Sequence, residues 1–267
     1  MQDIRVSNWE ELNAQLYAGS WRTELRRHRS PYAFRGMPDA GYTLHTSLQR
    51  LSNSPARIER HLLRNFRKYA RNQARLDDSL WGWLALAQHH GLPTRLLDWT
   101  YSPYVALHFA TVNPALHRCD CVVWAVDYVR AQKQMPAPLR RELDAEEADV
   151  FTVEMLGRAM ADLAELERMA EQPFVLFFEP PSLDDRIVNQ MALFALMSRA
   201  DATLDDWLAG HPDLCRRIII PAGLKDEVRD KLDQANITER VLMPGLDGLC
   251  RWLTRYYSPR SDEQQPI

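Results

Sequence analysis

Between Gln88 and Ala110 the chain reads QHHGLPTRLLDWTYSPYVALHFA. Asp98, Trp99, Thr100 and Tyr101 stand directly before Ser102 and Pro103, a hydroxyl suited to an N-cap and a proline suited to the first helical position. A helix start presents unpaired N–H groups and a partial positive charge, so residues just ahead of it lie where an anion binds. Trp99 and Tyr101 are suited to stack on a planar ring, and Thr100 to hydrogen-bond a ribose or a phosphate. A structural reading spends the same stretch internally: Asp98 and Thr94 accept backbone N–H bonds and Arg95 pairs with Asp98. A connection between two apolar helices must satisfy its backbone polar groups in some such way. For Arg95, Leu96 and Leu97 the structural reading is adopted; for Asp98, Trp99 and Thr100 both readings stand.

Three further stretches carry chemistry-bearing side chains. In AFRGMPDAGYTL a strand places Ala33 and Arg35 on one face and Tyr32 and Phe34 on the other. Arg35 then offers a fixed guanidinium for a phosphate or ribose, or forms a buried ion pair with Asp98. Gly36 lets a ligand or another backbone come close. His89 and His90 close a helix, where a histidine favours the helix dipole; one of them can donate to a ligand. Adjacent histidines lack the spacing of three or four that a metal pair on a helix needs, so no metal is expected. In FEPPSLDDRIVNQMALF, Glu179 at a strand end is the favoured carboxylate for chemistry. Gln190 is neutral and can only orient a ligand through its amide, and Arg186 reads as a surface or cap-adjacent charge.

The elements that must position these groups follow from periodicity and punctuation. Residues 7–18 read as a helix capped by Ser7, and 31–36 as a strand. Residues 55–70 form a helix whose Ile58, Leu62, Phe66 and Tyr69 face the core. A second apolar helix over 79–90 stops at Gly91, a suitable C′ residue. A third helix runs from Pro103 to about Thr111. Residues 121–127, 174–179 and 216–221 read as strands, 138–170 as mostly helical with RRELDAEEAD as a solvated face, and MALFALM as either strand or helix. Leu224, Val228 and Leu232 mark another core helix. Leu246, Leu249 and Leu253 mark the last, with Asp247 as candidate cap, before a polar tail from Ser258. Strands and helices alternate without a βαβ rhythm. The expected architecture is α+β, one domain with a mixed or antiparallel sheet among helices.

The 267 residues carry a net charge of −3, so no basic footprint for nucleic acid exists at the level of the whole chain, although a local patch is compatible with it. Lys68, Lys133, Lys225 and Lys231 are the only lysines against many arginines. Cys119 and Cys121 fall on one face if both lie in a strand, yet two thiols do not make a zinc site, and Cys215 and Cys250 stand apart. No export signal, disulfide framework or membrane span is read, so the expectation is a soluble cytoplasmic protein without membrane partners.

Taken together, Phe34-Arg35-Gly36, the block from Leu84 to Ala110, RIVNQMALF and GLDGLCRWL resemble the FRG domain family. The resemblance spans about residues 31–255 and divides the chain into a helical lead-in over 1–30, an FRG domain over 31–257 and a tail over 258–267. The family is described mainly by sequence, often in bacteria and phages. A more remote likeness is to ADP-ribosyltransferases, which order an Arg or His on an early strand, a hydroxyl-bearing strand entering a helix, and a strand carrying Glu. That likeness implies a split antiparallel sheet and NAD as substrate. Arg35 and Gly36 would receive a phosphate or the nicotinamide ribose, Trp99 or Tyr101 would stack, Thr100 would orient the ribose, and His89 and Thr94 would line the site. Gln190 falls near the transferase Glu and lacks its charge, so Glu179 or Asp98 substitutes, or the activity is altered or lost. The expected function is an ADP-ribosyltransferase or NAD glycohydrolase, as a toxin or anti-phage effector acting on a protein or nucleic-acid acceptor. The alternatives are a non-catalytic nucleotide- or protein-binding module and a nuclease-type toxin using Arg35, His89 and Asp98 on RNA.

Overall fold

The computed structural model describes residues 2–71 and 79–259. Its strands among these residues are β1 (Gln2–Arg5), β2 (Trp21–Arg22), β3 (Arg27–His28), β4 (Tyr32–Met37), β5 (Leu97–Thr100), β6 (Cys121–Asp127), β7 (Val175–Phe178), β8 (Ala192–Met197) and β9 (Cys215–Ile220). Seven of them form one sheet in the order β1-β9-β6-β4-β5-β8-β7, and β2 with β3 makes a small separate ribbon. Within the large sheet the β1–β9 pairing is parallel and the others are antiparallel. Helices flank this sheet in a single α+β domain. The strands are rich in β-branched and aromatic residues, which suit a pleated surface packed on both sides. Every residue of β6 is buried, as its central place requires.

Alternation along the strands divides the core. Ala33, Leu97, Trp99, Trp124, Phe177 and Leu193 face one side in a common cluster. On the other side there are two clusters. Phe34, Val123, Ala125 and Ile218 pack beneath helices Trp9–Tyr17, Pro103–Thr111 and Lys225–Gln234. Leu176, Phe178, Phe194 and Leu196 pack beneath helices that include Leu80–His89 and Val153–Ala159. The seam between the two clusters falls at β4 and β5. These strands share one registered pair, Phe34 with Thr100, whereas β4 pairs with β6 over six positions.

Gly36 fixes how the Pro103–Thr111 helix lies on β4. A Cβ built at Gly36 would meet the Ala106 carbonyl oxygen at 1.7 Å and the Ala110 nitrogen at 2.7 Å. The open position is therefore filled by backbone, and Gly36 is needed for helix-on-strand contact. The helix begins as its sequence predicts: the Ser102 side chain accepts from the Val105 N–H, with Pro103 at the first helical position.

Several local expectations are corrected. The first helix is capped by Asn8, whose side chain accepts from the Glu11 N–H, while Ser7 bonds the Glu11 carboxylate instead. Residues expected to be a helical lead-in also supply β1, an edge strand of the main sheet. In helix Pro55–Ala70 the buried positions are Glu59 and Leu63; Ile58 and Leu62 are half-buried and Phe66 packs on the core, but Tyr69 is exposed, and inward-facing Glu59 meets a buried arginine. The last helix exposes Leu246 and Leu253 and is preceded by Gly245 at φ 111°, with Asp247 in its first turn rather than at its cap. MALFALM is strand β8. Cys119 lies in the turn before β6, so it shares no strand with Cys121, and all four cysteines are free. The tail expected from Ser258 lies outside the described residues from position 260 on.

Gly36→Ala and Gly91→Ala separate close packing from backbone conformation. Gly91 has φ 80° and nothing near an added Cβ, so its substitution should cost about 1–2 kcal/mol, the left-handed penalty. Gly36→Ala must displace helix backbone and should cost about 3 kcal/mol or more. Urea denaturation of the two variants checks the ranking.

Candidate functional site

A cleft of ≈ 300 Å³ opens where β4 and β5 part. Its floor and walls include Phe34, Phe109, Ile187 and Phe194, and its polar side chains are those of Arg35, Gln88, His89, Asp98, Thr100, Arg186 and Gln190. Arg35, the Thr100 strand and Gln190, distant in sequence, thus meet at one cavity. The volume is at the small end of the range typical of ligand pockets.

Arg35 and Asp98 form the centre of this wall. Alternation sets Arg35 on the same face as Ala33 and Met37, yet its guanidinium reaches across to β5 and donates from Nη1 to the Asp98 backbone carbonyl. The expected ion pair with Asp98 is therefore a bond to main chain, and the Arg35 Nε is buried without a partner among the described residues. Burial lowers the Arg35 pKa; the Asp98 carboxylate opposes that shift and Arg50 adds to it. The Asp98 carboxylate is exposed to the cleft, with Oδ2 accepting from Gln88 Nε2 at 3.0 Å. Gln88 Oε1 in turn accepts from the Thr94 hydroxyl at 2.6 Å. Gln88 sits in the last turn of helix Leu80–His89, so that helix orients the carboxylate.

His89, next along, donates from Nε2 to the Asp184 carboxylate at 2.7 Å. Burial acts to raise the Asp184 carboxyl, but the Ile187 N–H and His89 hold it below the usual carboxylate range. Arg186, the second residue of the short helix Asp185–Asn189 that Asp184 caps, is exposed at the cleft with no side-chain partner among the described residues.

Thr100 and Gln190 are more committed. The Thr100 hydroxyl donates to the Gln190 carbonyl at 2.7 Å and accepts from the Ser102 N–H at 3.0 Å, and the residue is buried. The Gln190 side-chain nitrogen donates to the Leu242 carbonyl at 2.8 Å. Met191 then takes φ 47° and turns the chain into β8. The Glu239–Leu242 helix that receives Gln190 is itself anchored by charge: Arg255 bonds Glu239 and Asp233, and Arg229 bonds Glu239 and His108. Burial opposes ionisation of Glu239, yet Arg255 and Arg229 hold its carboxyl down at about 2. Burial first, and then Arg229, lower His108 to about 3, so it stays neutral and accepts from Arg229 through Nδ1.

A family model described as the FRG domain matches residues 30–119. The chain carries an FRG domain over these residues. No curated protein and no solved structure matches the chain. The matched residues of the FRG domain supply Arg35, Gly36, Gln88, His89, Asp98 and Thr100 to the cleft, while Arg186, Ile187, Gln190 and Phe194 come from beyond residue 119.

Other expected site residues direct their side chains elsewhere, for one geometrical reason. Cleft-facing positions of β5 and β8 are Asp98, Thr100, Ala192 and Phe194; their odd-numbered neighbours on β5 face the opposite side. Trp99 borders the cleft, but its indole is buried edge-on to Phe177, ring centroids 6.0 Å apart. Tyr101 packs edge-on to Tyr128, and its hydroxyl donates to Glu179 at 2.8 Å. Burial and that bond push the Tyr101 hydroxyl far up. Glu179 is therefore not the carboxylate of the cleft. Thr94 is a buried turn residue whose oxygen accepts from the Leu96 N–H. Arg95 pairs with Glu59 and Glu167 rather than Asp98. Sequence reading missed Gln88 and Arg186: Gln88 lies at helical spacing beside His89, and Arg186 carries the same cleft-ward helix face as Gln190. Among the described residues no group of three His, Cys, Asp or Glu side chains is placed to hold a metal ion, and no helix is long and apolar enough to cross a membrane.

Two outcomes follow. Thr100→Val strands a buried carbonyl and a buried N–H and should cost about 2 kcal/mol in urea denaturation, while Thr100→Ser stays near the parent. Stability should also fall with acid. Unfolded His108 takes up a proton below about pH 6.5 that the folded residue refuses until about 3. Unfolded Glu239 protonates near its ordinary 4.5, before the folded group at about 2. Both therefore remove stability as pH falls, the histidine first, at about 1 kcal/mol per pH unit below 6.5. Denaturation at pH 7.5, 6 and 5 tests this, and a flat profile that His108→Gln does not alter contradicts it.

Proposed function

We propose that the cleft binds the nicotinamide–ribose–phosphate half of NAD and cleaves the bond between them, releasing nicotinamide to water or to an acceptor. The observation that carries this reading is the Asp98 carboxylate, exposed in a cleft whose other charges are the guanidiniums of Arg35 and Arg186. The cations suit a phosphate, and arginine binds phosphate in a bidentate manner. The apolar walls formed by Phe109, Ile187 and Phe194 suit a planar ring. The volume suits a mononucleotide rather than a whole dinucleotide.

In the reaction the C1′–N bond breaks and its electron pair passes to the pyridinium nitrogen, leaving neutral nicotinamide. The sugar becomes oxocarbenium-like, and a fixed carboxylate beside it stabilises the developing positive charge. Water or an acceptor group then adds its lone pair to C1′ and loses a proton. Asp98 takes the electrostatic role, with Gln88 and Arg35 as positioning residues through its carboxylate and its backbone carbonyl. Gln190 shapes the wall. Toxin or anti-phage activity is the biological setting that NAD consumption would serve.

A second reading, a non-catalytic nucleotide-binding module, draws on the committed state of the Thr100 hydroxyl and the Gln190 amide nitrogen, both spent on main chain. Nicotinamide release from NAD distinguishes the two. On the first reading, the parent chain releases nicotinamide, Asp98→Asn retains NAD-induced thermal stabilisation but loses about 100-fold in rate, and Arg186→Ala loses binding. Thermal stabilisation by NAD without any release favours the module; neither effect removes both readings.

A further inference from the structure

The net charge of −3 conceals a steep local imbalance. Helix Pro55–Ala70 and its cap carry Arg57, Arg60, Arg64, Arg67, Lys68 and Arg71. Steps of three and four residues gather these on neighbouring turns of one side, a row about 21 Å long at 1.5 Å per residue. The single acid of the helix, Glu59, is turned inward and bound by Arg95 at 2.6 Å. Like charges at this spacing work against the helix that bears them, so the exposed Arg57, Arg60 and Arg64 favour an anionic counterpart.

Grooves lie on both flanks of the row. One, of ≈ 640 Å³, runs against Leu80 and Trp83; the other, of ≈ 770 Å³, reaches Arg199. Arg60 and Arg64 line both. At the far end the Tyr69 ring is 75% exposed, with Lys68 Nζ 5.2 Å from its centroid. The second groove is also lined by Asn53, Ser54 and His61, and by two acids that already have partners, Asp201 paired with Arg199 and Glu167 paired with Arg95.

We propose that this face binds single-stranded nucleic acid through its phosphate backbone. Arginine forks match phosphate oxygens better than point-charge lysines do. A row of evenly spaced cations along a helix suits a repeating polyanion rather than one phosphate, and an exposed tyrosine beside it offers a base-stacking platform. Grooves with polar rims fit a strand, whereas a lipid surface would favour a flat face with apolar side chains. The site is separate from the nucleotide cleft: the Leu80–His89 helix turns Leu80 and Trp83 to the groove and Gln88 and His89 to the cleft.

The test is fluorescence anisotropy of a labelled single-stranded 20-mer with the full chain, between 50 and 200 mM NaCl, beside the triple variant Arg57→Gln/Arg60→Gln/Arg64→Gln. The parent should bind with a negative log–log salt slope. The variant should lose at least about 10-fold in affinity and about 2 in slope, from three phosphate contacts at about 0.7 each. Its thermal midpoint should match or exceed the parent's, since repulsion is relieved, and its nicotinamide release should equal the parent's, which keeps this result separate from that of the cleft. Absence of binding at 50 mM NaCl, an unchanged slope in the folded variant, or tighter binding to phosphatidylserine vesicles than to the oligonucleotide overturns the proposal.

Discussion

The parting of β4 from β5 is the constraint on which the site depends. An antiparallel ladder that continued past Phe34 and Thr100 would pair the β5 main chain with β4. Here the two strands share that one pair, and the Asp98 carbonyl takes its hydrogen bond from the Arg35 side chain instead. A charged donor to a backbone acceptor is stronger than a neutral one, so the ladder can open without leaving that carbonyl unsatisfied. The opening leaves room for a cleft and lets Asp98 present its carboxylate there. Arg35 is thus at once the hydrogen-bond donor that tolerates the gap and one of the charges in it.

The rest of the wall is secured from both sides. Gly36 brings the Pro103–Thr111 helix into backbone contact with β4, which fixes the helix whose Phe109 reaches the cleft. On the far side Thr100 ties β5 to the Gln190 carbonyl, and Gln190 ties itself to Leu242. The Leu242 turn hangs on Glu239, Arg229, Asp233 and Arg255, a partly buried network of ion pairs. Breaking one partner of such a network leaves an uncompensated charge, so residues near the C-terminal end of the described chain govern the shape of a cavity built largely from its first half. The FRG-domain stretch supplies β4 and β5, and the closing wall is contributed by sequence outside it.

Much of this was legible in the residues. Ser102 and Pro103 announced a helix start, Gly91 a helix end, and the β-branched runs at 121–127 and 216–221 two strands; each signal is local, so neighbouring residues suffice to carry it. The meeting of Arg35, Thr100 and Gln190 at one cavity was also anticipated. Local pattern misled where a long-range partner outweighed it: Glu59 faces inward to meet Arg95, and Tyr69 lies outside.

What the sequence determined by itself was the type and order of the elements, an α+β chain with an FRG motif and a special-geometry strand leading into a helix. What only tertiary structure decided was which side of that strand is the cleft. Alternation makes Trp99 and Tyr101 equivalent candidates to Asp98 and Thr100 until the sheet's partners are known, because a period of two names two faces and cannot say which is covered. Packing against Phe177 and Tyr128 closed one face, and the gap between two separate helical layers left the other open.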